Sequence, residues 1–486
     1  MQPEKPAVGE QEGLPELTSS PPSAQPEVAQ RPSHAEAPAR QNHLVFRYLR
    51  EKKPLPSPRR ARWIVAALYL IMTLAGWETG SSAPLLPFLQ EYYNISYLVM
   101  SVIFITGFVG SMISASLNVY LTDRLGFGLV APLGTVCFAI GYVISSTGGP
   151  YPLFALAFVF NGIGFGLQDA QINALTARLP NPNAKMALLH SFFGLGGTVA
   201  PFISTPFVQH FPKKPYLLYT INLAVALLTL SVETAVFRGQ TEEQLTGKPE
   251  RMAESTESKT EAPMPLAEMG TAEAEAAHRG AESQVPSRPL LSSSAKMKII
   301  LTTPAVYVFV LHAFLYVGIE TTIGSWAPTY LIQVRGADSN AGYVTSGFWG
   351  GLTIGRVILI PFTARLGNRW AVFVYSVISL GLQLVVWLVP NYICSAVCIC
   401  FIGFFLAPIF PAAIVLITEI IPEELHVGVI GMFGTIGGAG AAATPFILGA
   451  IADRFGFWVM GPYMTAGLAA SIVLWTFVPR RKKHLD

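Results

Sequence analysis

Charged residues are scarce in this chain of 486 residues. Aspartate, glutamate, lysine and arginine make up 13% of it, while 51% of its residues are hydrophobic. Typical soluble domains carry about 25% charged residues, which they need for their water-facing surface. The shortage excludes an ordinary soluble enzyme of this length. We therefore expect an all-α integral membrane protein whose surface is solvated mostly by lipid.

Cysteine is also scarce, with four residues in the whole chain, all inside apolar runs. We interpret them as buried small hydrophobic residues rather than as disulfides or a zinc site, which needs convergent polar ligands. The sequence shows no nucleotide-binding loop, no catalytic nucleophile constellation and no metal-ligand cluster. We expect no enzymatic activity, no metal or other cofactor, and neither a nucleotide nor a nucleic acid as a partner.

Apolar stretches of about 20 residues, long enough to cross a bilayer as helices, recur twelve times. Six precede a long polar segment and six follow it. The pattern predicts twelve transmembrane helices in two six-helix bundles, at 61–237 and 299–479. The polar segments cannot bury enough apolar surface to fold. They predict a disordered N-terminal tail at 1–60, a disordered central loop at 238–298 and a basic tail at 480–486.

The lysine and arginine residues indicate the orientation. Most of the 32 lie in the two tails, the central loop and alternate short loops, which predicts that these segments and both termini are cytoplasmic. The Asn94–Ser96 sequon then falls in the first outer loop, where Asn94 is a candidate glycosylation site. The long polar tail and acidic central loop favour the plasma membrane, with a vacuolar membrane as the alternative.

Three short motifs of the first half recur in the second half, in the same order and about 240 residues later. The pairs are Gly76–Thr79 with Gly318–Thr321, Ala83–Pro84 with Ala327–Pro328, and Thr122–Gly126 with Thr363–Gly367. A shared order at nearly constant separation predicts two halves related by an axis along the membrane normal.

This organisation resembles the major facilitator superfamily over residues 63–483. Asp123–Gly126 is similar to the superfamily's motif between helices 2 and 3, but Phe127 and Gly128 replace the basic pair that usually follows. The resemblance implies a gate in which a carboxylate and an arginine separate as the halves rock. A plain cytoplasmic loop is the alternative. The predicted gate residues are Asp123, Arg124 and Arg365.

Within that superfamily the sequence is most similar to the fucose–proton symporter branch, through Gly76–Thr79, Gly162–Asn173 and His190–Pro201. The resemblance implies that acidic residues on helices 1 and 4 couple protons and contact the substrate, and Glu78 and Asp169 match them. Glu78 falls near the middle of its helix, where a carboxyl group costs several kcal/mol and so indicates function. Two structural carboxyl groups with hydrogen-bond partners are the alternative.

Other polar residues accompany these two acids. Gln168 and Asn173 lie on the same predicted helix as Asp169, and Glu320 is the repeat mate of Glu78. Arg356 is an alternative, neutralising partner for Glu320. We expect Glu78, Gln168, Asp169, Asn173 and Glu320 to form the proton-coupling and substrate site. Further candidates for its lining, each with simple packing as the alternative, are Asn161, His190, His312, Trp326 and Trp349.

Small residues carry two further predictions. Gly76, Gly80 and Pro84 predict that the first helix is interrupted beside Glu78, which would leave backbone carbonyls free to bind a ligand. The glycine-rich runs at 194–197 and 434–440 predict close helix packing rather than phosphate binding, since neither has the context of a nucleotide loop.

The sequence thus predicts a secondary transporter that moves a small polar organic solute by proton-coupled alternating access. Its partners would be the solute, protons and the lipid bilayer, and a monomer would suffice. The runner-up is a proton-antiport exporter of an organic metabolite. An alternative of another class is a non-transporting membrane sensor or a lipid scramblase.

Overall fold

The computed structural model describes residues 58–246 and 292–479. Within these ranges all the regular structure is helical. Eleven helices are long and apolar enough to cross a membrane, and a bent helix pair supplies a twelfth span. The predicted fold of twelve helices is confirmed.

We number the spans α1 to α12, six in each half of the chain. Those of the first half are α1 (Pro58–Ser82, continued through a 3-10 turn at Ala83–Leu85 into Leu86–Tyr93), α2 (Tyr97–Leu125), α3 (Phe127–Ser146), α4 (Tyr151–Arg178), α5 (Pro182–His210) and α6 (Leu218–Phe237).

Those of the second half are α7 (Pro304–Arg335), α8 (Tyr343–Ile358 and Ile360–Leu366), α9 (Asn368–Leu388), α10 (Tyr392–Leu406 and Ile409–Ile420), α11 (His426–Phe455) and α12 (Met460–Thr476). The two parts of α8 meet at an angle of 57°. Pro361 enters the second part in its first turn, where its missing N–H removes a backbone hydrogen bond and permits the bend. We call the side on which α1 begins and α12 ends the terminal side, and the other the opposite side.

Most of the predicted polar segments lie outside the described residues: 1–57 of the tail at 1–60, 247–291 of the loop at 238–298, and the tail at 480–486. The two described ends of the central loop contain short helices, at Glu242–Thr246 and Ser293–Thr302. Arg178, at the end of α4, forms an ion pair of 2.9 Å with Glu242. The beginning of the loop therefore packs on the terminal side of the first half.

The repeat seen in the sequence appears in the structure as the same turn at two equivalent positions, after α2 and after α8. Gly126 after α2 and Gly367 after the equivalent α8 both have positive φ, at 75° and 77°. Each donates its N–H to the threonine carbonyl four residues earlier, Thr122 or Thr363, at 2.8 and 2.9 Å. A side chain is strained at such φ values, so both copies of the motif end in glycine.

Helix packing repeats in the same way. In the first half α1 packs on α5, α2 on α4, and α3 on both α4 and α6. In the second half α7 packs on α11, α8 on α10, and α9 on both α10 and α12. The halves meet through α2 with α11 and through α5 with α8. The contacts within and between the halves therefore follow one scheme.

Glycine makes the α1–α5 packing possible. A Cβ at Gly76 would overlap the carbonyl oxygen of Phe193, and a Cβ at Gly80 would overlap the backbone of Gly197. From the other helix, a Cβ at Gly196 would overlap the carbonyl oxygen of Thr73. The expected packing role of the glycines at 194–197 is confirmed. In the glycine-rich run at 434–440, a Cβ at Gly440 would likewise overlap the carbonyl oxygen of Phe314.

The predicted interruption beside Glu78 is wrong. The helix is continuous to Ser82, and the change to a 3-10 turn comes at Ala83–Leu85, around Pro84. The Glu78 carbonyl accepts hydrogen bonds from the hydroxyl groups of Ser81 and Ser82, at 3.2 and 3.1 Å. The glycines in this helix create close contact with α5 rather than a break, because neighbouring backbone fills the space of their missing side chains.

This packing predicts that Gly196→Val destabilises the protein. The added side chain must displace the α1 backbone at Thr73, and overpacking of this kind costs about 1–3 kcal/mol or more. We expect a lower thermal unfolding midpoint for the purified protein in detergent. Gly381→Ala, in α9, is the matched control, since a Cβ there meets no described atom within 4 Å. A midpoint for Gly196→Val equal to that of the control would contradict the prediction.

Candidate functional site

Glu78 on α1 and Asn161 on α4 form a hydrogen-bonded pair inside the first half. The Asn161 Nδ2 atom donates to Glu78 Oε1 at 3.0 Å. Neither Glu78 Oε2 nor Asn161 Oδ1 has a hydrogen-bond partner among the described residues, and both atoms are buried. Gly141 on α3 makes room for the amide, because a Cβ there would overlap Asn161 Oδ1. Three helices thus cooperate to place one carboxyl group.

Aromatic and polar side chains surround this pair. Tyr142 and Tyr219, both buried, lie close enough to Glu78 to interact with its carboxylate electrostatically. On the residue before Glu78, Trp77 Nε1 donates to Asn222 Oδ1 at 2.8 Å, and Asn222 Nδ2 donates to the hydroxyl group of Ser81, about one turn after Glu78, at 3.1 Å. These bonds fix α1 against α6 on both sides of Glu78, so the position of its carboxyl group is well defined.

Asp169 and Asn173 lie on one face of α4, as their spacing predicts. The Asn173 Nδ2 atom donates to the backbone oxygen of Asp169 at 2.8 Å and to its Oδ1 at 2.9 Å. Both side chains are half-buried. Asp169 is thus an acid with an amide neighbour on its own helix, whereas Glu78 is paired across helices.

Gln168 points away from Asp169, into the interior of the first half. Its Nε2 atom donates to Glu233 Oε1 on α6 at 3.2 Å and also to the Thr135 hydroxyl on α3. Thr135 donates in turn to Glu233 Oε1 at 2.7 Å. Sequence reasoning missed Glu233, which is completely buried. The available signal was that Glu233 is the single acidic residue in the apolar run 218–237.

Glu320 on α7, the repeat mate of Glu78, has a different environment. It accepts a hydrogen bond from the hydroxyl group of Tyr316 on its own helix, and the oxygen of this hydroxyl group lies 3.0 Å from the Leu406 carbonyl oxygen. Arg356 interacts with Glu320 electrostatically, but its guanidinium donates to the backbone oxygen of His190 at 3.0 Å. The predicted neutralising arginine is thus near Glu320, while its hydrogen bond links α8 to α5.

The remaining lining candidates lie in two kinds of place. His312 is fully buried within the second half, with Nδ1 3.1 Å from the Ser471 hydroxyl and its ring 4.5 Å from that of Trp475. Trp349 is buried where the halves meet, in an edge-to-face contact with Phe193 at 5.7 Å. The structure therefore brings Trp349 to the interface between the halves and keeps His312 away from it.

The predicted gate and glycosylation residues are all exposed. Asp123, Arg124 and Arg365 lie on the terminal side, and no ion pair between them occurs in the described part of the chain. The Arg124 guanidinium instead lies over the ring of Tyr120, at 4.6 Å. Asn94 ends the first span in a left-handed conformation, with its side chain exposed.

Comparison with known proteins decides the family. The profile of the Major Facilitator Superfamily matches residues 68–359 and 337–486, which together cover most of the chain. This protein belongs to the Major Facilitator Superfamily. It is therefore a multi-pass membrane protein and a transporter, not an enzyme, as the sequence predicts.

Individual known proteins are similar to this chain over most of their length. Bypass of stop codon protein 6 of Saccharomyces cerevisiae is 27% identical over 435 residues, which cover 86% of this chain and 82% of the yeast protein. The structure of the E. coli fucose:proton symporter superposes with a TM-score of 0.54 at 15% identity, over 86% of this chain and 98% of that one. A D-xylose-proton symporter gives 0.63 at 15% identity, over the same shares of the two chains. At such identities these structures show the shared fold.

This superfamily transporter is closed on the opposite side. Tyr97 at the start of α2 donates its backbone N–H to Asp453 Oδ1 at the end of α11, at 3.0 Å. The Tyr97 ring packs against Trp326 and Phe457 at 6.4 and 4.8 Å. Gln209 on α5 donates to Asn340, just before α8, at 3.0 Å. Aromatic and polar contacts therefore join the halves here.

On the terminal side α11 has fewer neighbours. A Cβ added at Gly431 or Gly434 would meet no described atom within 4 Å, whereas at Gly449, near the opposite side, it would overlap Ser101 of α2. The α2–α11 contact thus loosens from the opposite side to the terminal side. The separated gate residues Asp123 and Arg365 lie at this looser side. The two halves are therefore in closer contact on the opposite side than on the terminal side.

The closure predicts that Asp453→Ala favours opening on the opposite side, because it removes the acceptor for the Tyr97 N–H. Loss of a hydrogen bond of about 1 kcal/mol shifts a conformational equilibrium about fivefold. We expect faster modification of Thr205→Cys, buried beside Gly342 when the halves are closed, by an impermeant maleimide in a background without the native cysteines. Asp453→Asn keeps the acceptor oxygen and is the control. Equal rates for both variants would contradict the prediction.

Proposed function

We propose that this transporter moves a small polar organic solute and that a proton bound by Glu78 drives the movement. The observation that carries the proposal is the Glu78–Asn161 pair, a carboxyl group in the middle of a span that is bonded to an amide, lies near the buried Tyr142 hydroxyl group and forms no ion pair with any described residue. A buried carboxylate without a cation partner is unfavourable, and a proton removes its charge. The pair can thus hold a proton as the halves move.

The buried acids and amides concentrate in the first half, which supports a polar solute. Asp169 and Asn173 offer a carboxylate and an amide on the half-buried face of α4, and both groups form hydrogen bonds with hydroxyl-rich or amine-bearing molecules. The aromatic face of Trp349 lies across the interface, on the second half. We propose that the solute binds between these surfaces. The resemblance to sugar–proton symporters agrees with this class of solute.

Flux in proteoliposomes with an imposed pH gradient tests the proposal. One pH unit corresponds to about 1.4 kcal/mol, so one coupled proton per solute supports about tenfold accumulation. We expect Glu78→Gln and Asp169→Asn to lose this accumulation while one or both keep solute exchange, because exchange needs no net proton movement. Glu91→Gln, an exposed acid at the opposite side, is the control.

Each outcome of this flux measurement has a definite meaning. Accumulation towards the alkaline side identifies symport, and accumulation towards the acidic side identifies antiport and export. Normal accumulation by both the Glu78→Gln and Asp169→Asn variants would overturn the proposed proton role and leave the two acids structural. A solute that binds without any flux would instead favour a sensor.

We further propose that the terminal side is cytoplasmic and that the protein lies in the plasma membrane. The excess of lysine and arginine on that side supports this orientation. In a cysteine-free background we expect Lys213→Cys, in the loop before α6, to react with an impermeant maleimide on intact cells. Arg365→Cys, exposed on the terminal side, should react only after permeabilisation. The reverse pattern would overturn the orientation.

A further inference from the structure

We propose that Glu233 is a second proton-binding site, built on the same plan as the Glu78 site and lying deeper inside the first half. Glu233 lies outside the proposed transport site, and it can bind a proton whether or not Glu78 carries the transported one. The repeated geometry of three helices and the hydrogen bonds available to the Glu233 carboxyl group support this role.

The Glu78 and Glu233 sites are built in the same way. Asn161 and Gln168 are seven residues apart on α4, which is two turns, or about 10 Å along the helix axis. Each amide nitrogen donates to one oxygen of a carboxyl group on another helix, at 3.0 Å for Glu78 and 3.2 Å for Glu233. One face of α4 thus presents two amide–carboxyl pairs, one to α1 and one to α6.

Helix α3 makes room for both amides with glycine. A Cβ at Gly141 would overlap Asn161 Oδ1, and a Cβ at Gly134 would overlap Gln168 Cγ. These glycines are also seven residues apart, on a helix that runs antiparallel to α4. Each site therefore combines a glycine of α3, an amide of α4 and a carboxyl group of a third helix.

The Glu233 site can hold both the charged and the neutral form of the acid. Its Oε1 accepts from Thr135 and from Gln168, and two donors on one oxygen stabilise the anion. Its Oε2 and the Gln168 Oε1 are both buried without a partner among the described residues. A proton on Oε2 removes the charge of this oxygen and turns it into a donor. Neither form needs the donors on Oε1 to rearrange.

The groups bonded to the Glu233 carboxyl group, Thr135 and Gln168, are neutral. Glu233 is 0% exposed, and a buried ion without a counter-charge costs several kcal/mol. The titratable or charged residues on the helices packed around it, listed by helix, are Arg59, Arg60, Arg62, Tyr69, Glu78, Glu91, Tyr92 and Tyr93 on α1, Cys137 and Tyr142 on α3, Tyr151, Asp169 and Arg178 on α4, Lys185, His190 and His210 on α5, and Tyr219 on α6 itself.

The charged groups nearest to the end of α6 have other contacts. Arg238, one residue after α6, donates its Nε hydrogen to the Ala235 carbonyl at 3.0 Å. The Arg60 guanidinium donates to the Val236 carbonyl at 3.0 Å and to the Gln240 side chain at 2.6 Å, and Arg178 pairs with Glu242. The carboxyl group of Glu233 is therefore neutralised by a proton rather than by a cation. Release of that proton would leave between α3, α4 and α6 a negative charge that is stabilised only by neutral hydrogen-bond donors.

Infrared difference spectra of the full-length protein in liposomes, recorded between acidic and alkaline buffer, test the proposal. We expect Glu233→Gln to remove one component of the C=O stretching band of protonated carboxyl groups, and Glu78→Gln to remove a different component. Glutamine reproduces the shape of the neutral acid, so both proteins should fold, as circular dichroism checks. If Glu233→Gln aggregates, Glu233→Asp is measured instead and should shift the same component.

Two glycine variants provide matched controls. Gly134→Ala should shift the Glu233 component and leave the Glu78 component unchanged, because its added Cβ displaces Gln168. Gly141→Ala should do the reverse. The proposal is overturned if Glu233→Gln leaves the difference spectrum unchanged, or if Gly134→Ala fails to move the component that Glu233→Gln removes. The spectra need no solute, so this result is independent of whether transport proves to be proton-coupled.

Discussion

The structure of the first half of this transporter depends on one constraint. A polar group inside a lipid-facing bundle must find its hydrogen-bond partner within the protein. Lipid offers no hydrogen bonds, so each buried carboxyl group needs donors from neighbouring helices or a proton. Glu78 and Glu233 meet this demand in the same way, through an amide of α4. Helix α4 therefore links α1, α3 and α6 through its side chains as well as by apolar packing.

Glycine makes these bonds geometrically possible. Gly134 and Gly141 leave room on α3 for two amides, while Gly76, Gly80 and Gly196 bring α1 and α5 to backbone contact. Apolar side chains contribute little driving force between helices in lipid, so close contact and hydrogen bonds stabilise the bundle. The same glycines that bring the helices together thus also decide where the polar side chains can lie.

The two halves share a backbone scheme but differ in chemistry. Gly126 and Gly367 end equivalent helices in the same conformation, and the order of helix contacts is the same. Glu78 is nevertheless paired with an amide of another helix, whereas its mate Glu320 is bonded to Tyr316 of its own helix. The first half presents acids and amides, and the second contributes an aromatic surface at Trp349 and an arginine bonded to α5. In the mechanism we propose, the first half binds the proton, and the second half contributes an aromatic surface that fits the shape of the solute.

The sequence by itself determined the twelve helices, the repeat and the family, because helix length in lipid and the spacing of turn glycines are local properties of the chain. It also identified Glu78 and Asp169 as acids inside spans, and placed Asn173 beside Asp169 by a spacing of four residues. Its interruption of α1 was wrong because Gly76 and Gly80 meet α5, a contact that no local pattern reveals. The tertiary structure alone decided that Gln168 faces Glu233 and that His312 lies inside the second half, while Trp349 reaches the interface. Which way a side chain points within a bundle depends on the neighbouring helix, and that neighbour is distant in the chain.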